Sequence, residues 1–386
     1  MKKLLGLLLV CFMALSLVAC GGNNDEPSTT DAPVAQESEY KIAMITDYGD
    51  ITDQSFNQTT YEACKDFSDA NGVEFKYFKP QGDSTPERVA MIEMAIDEGF
   101  NIVVMPGFAF GEAIYETAPN YPEVKFVALD VSEFDLGAPN NGDSSYISTN
   151  VYSMVYQEEL CGYMAGYAAV KLGYTNLGFL GGMAVPAVIR YGYGYIQGAD
   201  DAAKELGVDV TMNYAYGNQF VGSPDITAAM DTWYSNGTQV VFASGGGIYT
   251  SAAEAAVKAG GKVIGVDVDQ APTIDSAYAE GLTVTSAMKG LYQSTFDTLK
   301  TIILEGKWDT LVGKVANLGI VSENSEENYV GLPTETTQFS DSFTLDDYKA
   351  LVAKLFSGEI TVDSSADSEV LPEVEAITVN NLGNLK

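Results

Sequence analysis

The 386-residue chain contains no histidine. That absence removes the commonest general base, the Ser-His-Asp arrangement and most zinc sites, and so favours a receptor over an enzyme. Cysteine is also scarce, with four in all; beyond Cys20 only Cys64 and Cys161 remain. Each lies in an apolar helical pattern, which predicts two buried free thiols rather than a disulfide or a metal site. Positive charge is sparse: 20 Lys and Arg stand against 53 Asp and Glu, a net charge of −33. Nucleic acid and other polyanions are therefore not expected partners. The longest apolar run, Leu4 to Val18, is too short and wrongly flanked for a stable membrane span.

That run has another reading. Lys2 and Lys3 precede it, and Leu17-Val18-Ala19-Cys20 closes it, the order of a bacterial secretory signal ending in a lipobox-like site. By that resemblance residues 1–19 are a signal peptide and Cys20 becomes the lipid-modified N-terminus. Residues 20–39 are rich in Asn, Asp, Ser, Thr, Pro and Gln, the composition of a flexible tether. The folded body then starts near Tyr40, and its length suits two lobes.

From there short β-rich runs alternate with longer helical patterns, which predicts parallel α/β architecture. Expected strands include Lys41 to Thr46, Val73 to Phe78, Ile102 to Met105 and Lys125 to Leu129, with Ser145 to Thr149 continuing the sheet. A helix from Met154 to Lys171 opens a second set, with strands at Leu177 to Leu180, Val208 to Tyr214, Gln239 to Ala243 and Lys262 to Val266. Thr283 to Ser286 and a helix to Leu304 read as a return to the first lobe. The expected lobes are thus 40–150 with 280–307, and 151–279 with 308–386.

In wound sheets ligands bind beyond the carboxyl ends of strands, where Asp47, Asp130 and Asp267 all fall. Helix capping or turn formation is the alternative use of such acids. Gly245-Gly246-Gly247 follows a strand but lacks the spacing and the Lys-Ser/Thr pair of a phosphate loop; these glycines are expected to admit close backbone approach or a neutral ligand. Phe56, in Asp53-Gln54-Ser55-Phe56-Asn57-Gln58, lies about 20° from the face of Phe67 at ~100° per residue, so spacing leaves core and site both open. Lys289 falls at an expected helix start, where a cation opposes the dipole and an anionic partner would explain it.

These segments together resemble the basic membrane protein family of bacterial substrate-binding lipoproteins, whose best understood members are purine nucleoside receptors. The marks are Ile45-Thr46-Asp47, the Asp53 to Gln58 motif, Tyr121-Pro122 to Phe126 with Asp130, Leu177 to Gly182, Gly265-Val266-Asp267-Val268-Asp269-Gln270, and Thr285-Ser286 followed by Lys289. The resemblance implies a type I periplasmic-binding fold, two Rossmann-like lobes joined by three crossover segments. It also implies capture of a nucleoside between the lobes and delivery to an ABC permease. Phe56 would stack on the base beside Asn57 and Asp47, with Asp130 at the base's polar edge; Asp267 and Lys289 would hold the ribose hydroxyls. Phe220 would be the second stacking aromatic, although Gly222 stands where the family carries Asp, leaving Asp225 or a different loop. A monomer without cofactor or metal is expected, bound to the membrane through Cys20. Two alternatives stay open: a sugar or signalling-molecule receptor on the same fold, and a nucleoside hydrolase.

Overall fold

The computed structural model describes residues 38–47, 49–143 and 149–385. The signal and lipidation readings on 1–19 and Cys20, most of the tether, and the strand expected near 145 lie outside them.

The chain builds a parallel sheet from β1 (Lys41–Ile45), β2 (Glu74–Phe78), β3 (Ile102–Pro106), β4 (Lys125–Leu129) and β5 (Val151–Tyr156), interleaved with α1 (Phe56–Asn71), α2 (Thr85–Asp97), α3 (Phe110–Thr117) and the short α4 (Glu133–Gly137). It then crosses to α5 (Glu158–Lys171), β6 (Asn176–Gly181), α6 (Pro186–Leu206), β7 (Val210–Tyr216), α7 (Pro224–Ser235), β8 (Val240–Ser244), α8 (Tyr249–Ala259), β9 (Lys262–Asp267), α9 (Ala271–Ala277) and β10 (Thr283–Lys289). After α10 (Leu291–Ile303) and β11 (Lys314–Leu318), it ends with β12 (Val330–Gly331), α11 (Leu345–Ser357) and β13 (Ile377–Asn384). The two sheets have the orders β11-β5-β4-β3-β1-β2 and β12-β10-β9-β8-β6-β7-β13. Every pairing is parallel except β10 with β12.

Strands β3 and β8 are buried along their whole length. Their sequences, IVVMP and VVFAS, are the near-continuous apolar runs required when helices cover both faces of a parallel sheet. Cys64 and Cys161 are buried and free, as the apolar patterns predict.

Three expectations about the course of the chain need correction. Residues 151–156 form a strand of the first sheet, and the helix expected from Met154 begins only at Glu158, because the aromatic and β-branched run VYSMVY pairs with β4. Residues 283–289 remain in the second sheet beside β9; only the following helix returns, where Phe296 packs edge-on against Phe67 at 5.2 Å between ring centres. Finally, 314–318 belongs to the first sheet, paired with β5, although the region from 308 onward was expected in the second lobe. Sequence period reports a strand but not its partner, so each boundary moved to the neighbouring element.

The three crossings are stitched together. Gln157 donates its N–H to the Leu318 carbonyl at 2.9 Å, Tyr329 to Gly319 at 3.0 Å, and Gly290 to Tyr329 at 2.7 Å. The tail after Gly358 adds β13 as an edge strand. Asp200 Oδ1 fastens its start, accepting the N–H groups of Glu375, Ala376 and Ile377 at 2.9, 2.7 and 3.2 Å.

Candidate functional site

The carboxyl ends of strands from both sheets face one cavity of about 820 Å³, lined by Asp47, Phe56, Asn57, Asp130, Phe220, Asp267 and Lys289 among others. All seven side chains selected from sequence thus meet in one place. The volume suits a small ligand held between lobes.

The strand-end acids are not helix caps. Asp130 and Asp267 both hold positive φ, +59° and +65°. That conformation turns the chain sharply at the strand end and is tolerated by Asp better than by most residues. Ser132, not Asp130, caps α4. Asp47 receives the Gly49 N–H at 2.9 Å, and its carboxylate lies over Gly107, where a Cβ would stand 2.6 Å from Oδ2. Gly107 has φ +128° and could carry no side chain without moving Asp47.

Lys289 is the last residue of β10, not the first of a helix, so the dipole argument does not apply to it as expected. Its partners are carboxylates: Asp130 Oδ2 at 2.5 Å, Glu158 Oε1 at 3.2 Å and Asp267 Oδ1 at 3.7 Å. Its ammonium also lies 4.7 Å from the centre of the Phe56 ring, a cation–π contact. Burial alone would lower the lysine's pKa, but Asp130, Glu158 and Asp267 outweigh it and hold the ammonium charged. Burial pushes Asp130 up to about 6, against the opposing pull of Lys289. For Glu158 burial is again the largest single influence, yet Arg190 and Lys289 together hold it below the usual carboxylate range.

Asp267 is held by further donors, Ser55 Oγ at 2.6 Å and Tyr191 Oη at 3.1 Å. The Ser55 bond crosses between the lobes. So do Gln270 Nε2 to the Gln54 carbonyl at 3.0 Å and Thr273 Oγ1 to Gln54 Oε1 at 3.3 Å. Lys289 to Asp130 is a fourth crossing.

A second polar cluster surrounds the start of α1. Asp53 accepts the backbone N–H groups of Ser55, Asn57 and Gln58 at 2.9, 2.9 and 3.1 Å, and Asn57 Nδ2 at 3.0 Å. It caps the helix from outside and fixes the Asn57 amide, leaving Phe56 in the first turn facing the cavity. Phe56 is half-buried, so its helical position serves the cavity wall and the core at once.

Phe220 lies across glycines. A Cβ on Gly182 would fall 2.4 Å from its ring, and one on Gly245 2.8 Å. The Gly245 to Gly247 run is therefore a floor for an aromatic ring, and the Gly247 N–H bonds the Phe220 carbonyl at 2.8 Å. Asp225 sits in the first turn of α7 and does not line the cavity. A Cβ at position 222 would stand 2.1 Å from Thr250 Oγ1, so an acid there would require the Thr250 side chain to move.

Among the described residues, three buried polar atoms of the lining lack a hydrogen-bond partner: Asn57 Oδ1, Asp130 Oδ1 and Ser244 Oγ. Each such atom costs about 1–3 kcal/mol, which a ligand with a polar rim would recover.

Sequence reasoning missed Ser55, Glu158, Arg190, Tyr191 and Ser244. Ser55 lay inside a quoted motif; Glu158 bonds Arg190 32 residues away and Lys289 131 away, Tyr191 bonds Asp267 76 away, and the Ser244 hydroxyl has no hydrogen-bond partner among the described residues to mark it.

The chain is 27% identical over 383 residues to the ABC transporter nucleoside-binding protein BmpA of Lactococcus lactis, covering 94% of this chain and 100% of that one. It is 28% identical over 330 residues to basic membrane protein A1 of Borrelia garinii, with 83% and 86% covered. Its fold is similar to an ABC transporter solute-binding protein of Aeropyrum pernix, with a TM-score of 0.67, 20% identity, and 86% and 95% of the two chains covered. Residues 40–365 match the family described as ABC transporter substrate-binding protein, PnrA-like, and with so much of the chain matched, the protein belongs to that family of binding proteins.

Proposed function

We propose that this protein captures nucleosides, purine nucleosides preferred, and presents them to an ABC permease from the extracytoplasmic face of a membrane, anchored through a lipid on Cys20. The observation that carries the reading is one cavity combining Phe56 and Phe220 with a shared cluster of Asp130, Asp267 and Lys289. A purine offers flat faces to aromatic rings, and a ribose diol offers hydroxyls to carboxylate acceptors beside an ammonium donor. The name of the Lactococcus relative points the same way. The lobes would close over the ligand about the stitched crossings.

One assignment changes from the family expectation. Asp130 shares the Lys289 ammonium, so we place it with Asp267 at the ribose rather than at the base edge. Asp47 and Asn57 are left to read the base.

Calorimetric titration with inosine, guanosine, adenosine, cytidine and uridine, beside a panel of free sugars, tests the reading. Purine nucleosides are expected to bind and to raise the thermal midpoint, since a ligand bound only by the folded state must stabilise it. Binding of sugars and of no nucleoside would overturn it, and release of hypoxanthine from inosine would replace it with a hydrolase.

A further inference from the structure

The cavity accounts for Lys289 but not for the two charged side chains behind it. Glu158 is completely buried and does not line the cavity. Its Oε2 accepts Arg190 Nε at 2.7 Å, while its Oε1 lies 3.2 Å from Lys289 Nζ. Arg190, also outside the lining, has only 17% of its side chain exposed. Three carboxylates and two cations therefore form one chain, Arg190, Glu158, Lys289, then Asp130 and Asp267.

The scaffold holding this chain is rigid. Glu158 opens α5, and Arg190 is in α6; these helices touch backbone to backbone. A Cβ on Gly162 would stand 2.2 Å from the Tyr191 carbonyl oxygen, and one on Gly194 2.0 Å from that of Glu159. The next residue after Arg190 is Tyr191, whose hydroxyl donates to Asp267. One helical step thus reaches both sides of the cluster.

On the nucleoside reading above, we infer that Glu158 and Arg190 are positioning residues that set where the Lys289 ammonium meets a ligand diol. The physical reason is competition. A fully buried carboxylate without Arg190 would claim the ammonium for itself, because an unpaired buried charge is costly. Arg190 satisfies half of Glu158, and the ammonium leans instead to Asp130 at 2.5 Å, on the cavity side. Conversely, Glu158 keeps Lys289 from collapsing wholly onto Asp130 and Asp267, whose oxygens would then be occupied when the hydroxyls arrive.

The test compares affinities for inosine and 2′,3′-dideoxyinosine, which differ only in the diol, in the wild type and in Arg190→Met, Arg190→Lys and Glu158→Gln. Circular dichroism and thermal midpoints report folding. The wild type is expected to favour inosine by tenfold or more, a ratio of roughly the size of one hydrogen bond to a charged group. Arg190→Met and Glu158→Gln should reduce that ratio to about one while leaving dideoxyinosine affinity within about twofold, and Arg190→Lys should restore most of it. Equal weakening of both ligands would mean a structural role only and overturn the inference, as would unchanged ratios in both variants. A wild type that binds neither compound nor any other nucleoside overturns the nucleoside reading as well, and is told apart by its silence before any variant is made.

Discussion

Beside α1, Asp53 accepts from three backbone N–H groups and an amide, with no cation among the described residues paired to it. Across the same cavity, Asp130, Asp267 and Glu158 share the ammonium of Lys289 and the guanidinium of Arg190. Both arrangements give carboxylates donor partners, but they offer a ligand different chemistry. Backbone donors at a helix start hold an acid in one geometry and leave Asn57 as a neutral, two-sided reader suited to a base rim. A shared ammonium can trade one oxygen for another, which suits hydroxyls that both donate and accept. Under the proposed function, neutral and charged recognition would use separate clusters of one cavity.

The comparison breaks first at Lys289. Lys289→Met should destabilise the protein by about 3–5 kcal/mol at pH 7.5, the cost of leaving buried carboxylates uncompensated. The loss should shrink at pH 5, where Asp130 takes a proton; denaturant titrations at the two pH values measure it. Next, Phe56→Ala should weaken nucleoside binding by about 1–3 kcal/mol, roughly fivefold to 150-fold, and reduce the ligand-induced rise in thermal midpoint. Calorimetry would read both.

Glu159 sharpens the contrast, since it lies beside the charged cluster without a full share in it. Burial, then Glu158, pushes it up to about 7, opposed first by a backbone N–H at the helix start and then by Arg190 at 3.9 Å. A carboxyl raised in the fold is harder to ionise there than in the unfolded chain, so it costs stability as pH rises from its unfolded range through 7. Glu159→Gln should therefore stabilise by on the order of 1–3 kcal/mol at pH 8 and have little effect at pH 4. Smallest of all, Asp53→Ala should cost about 0.5–2 kcal/mol, the value of a helix cap. A cost matching that of Lys289→Met would erase the distinction between the clusters.

Much of the site was legible because it sits at strand ends, and strand ends are local. Asp47, Asp130 and Asp267 each follow a run whose period announces β-structure. Phe56 was ambiguous by spacing and was singled out only by its ordered neighbours. Glu158 and Arg190 gave no such sign. Glu158 falls inside the helix expected from Met154, and Arg190 in no segment that the sequence singles out. Their meeting depends on α5 and α6 packing through glycine, and Lys289 joins them only because β10 stays in the second sheet.

The strands and helices up to β4, the acids at strand ends and the glycine run after β8 were determined by sequence alone, since period, turn residues and side-chain volume act over a few positions. Which sheet each crossing segment joins, and therefore which carboxylates share one ammonium, was decided by tertiary structure. Pairing between strands and the desolvation of distant charges depend on what is brought near in space, and no local pattern in the chain encodes that.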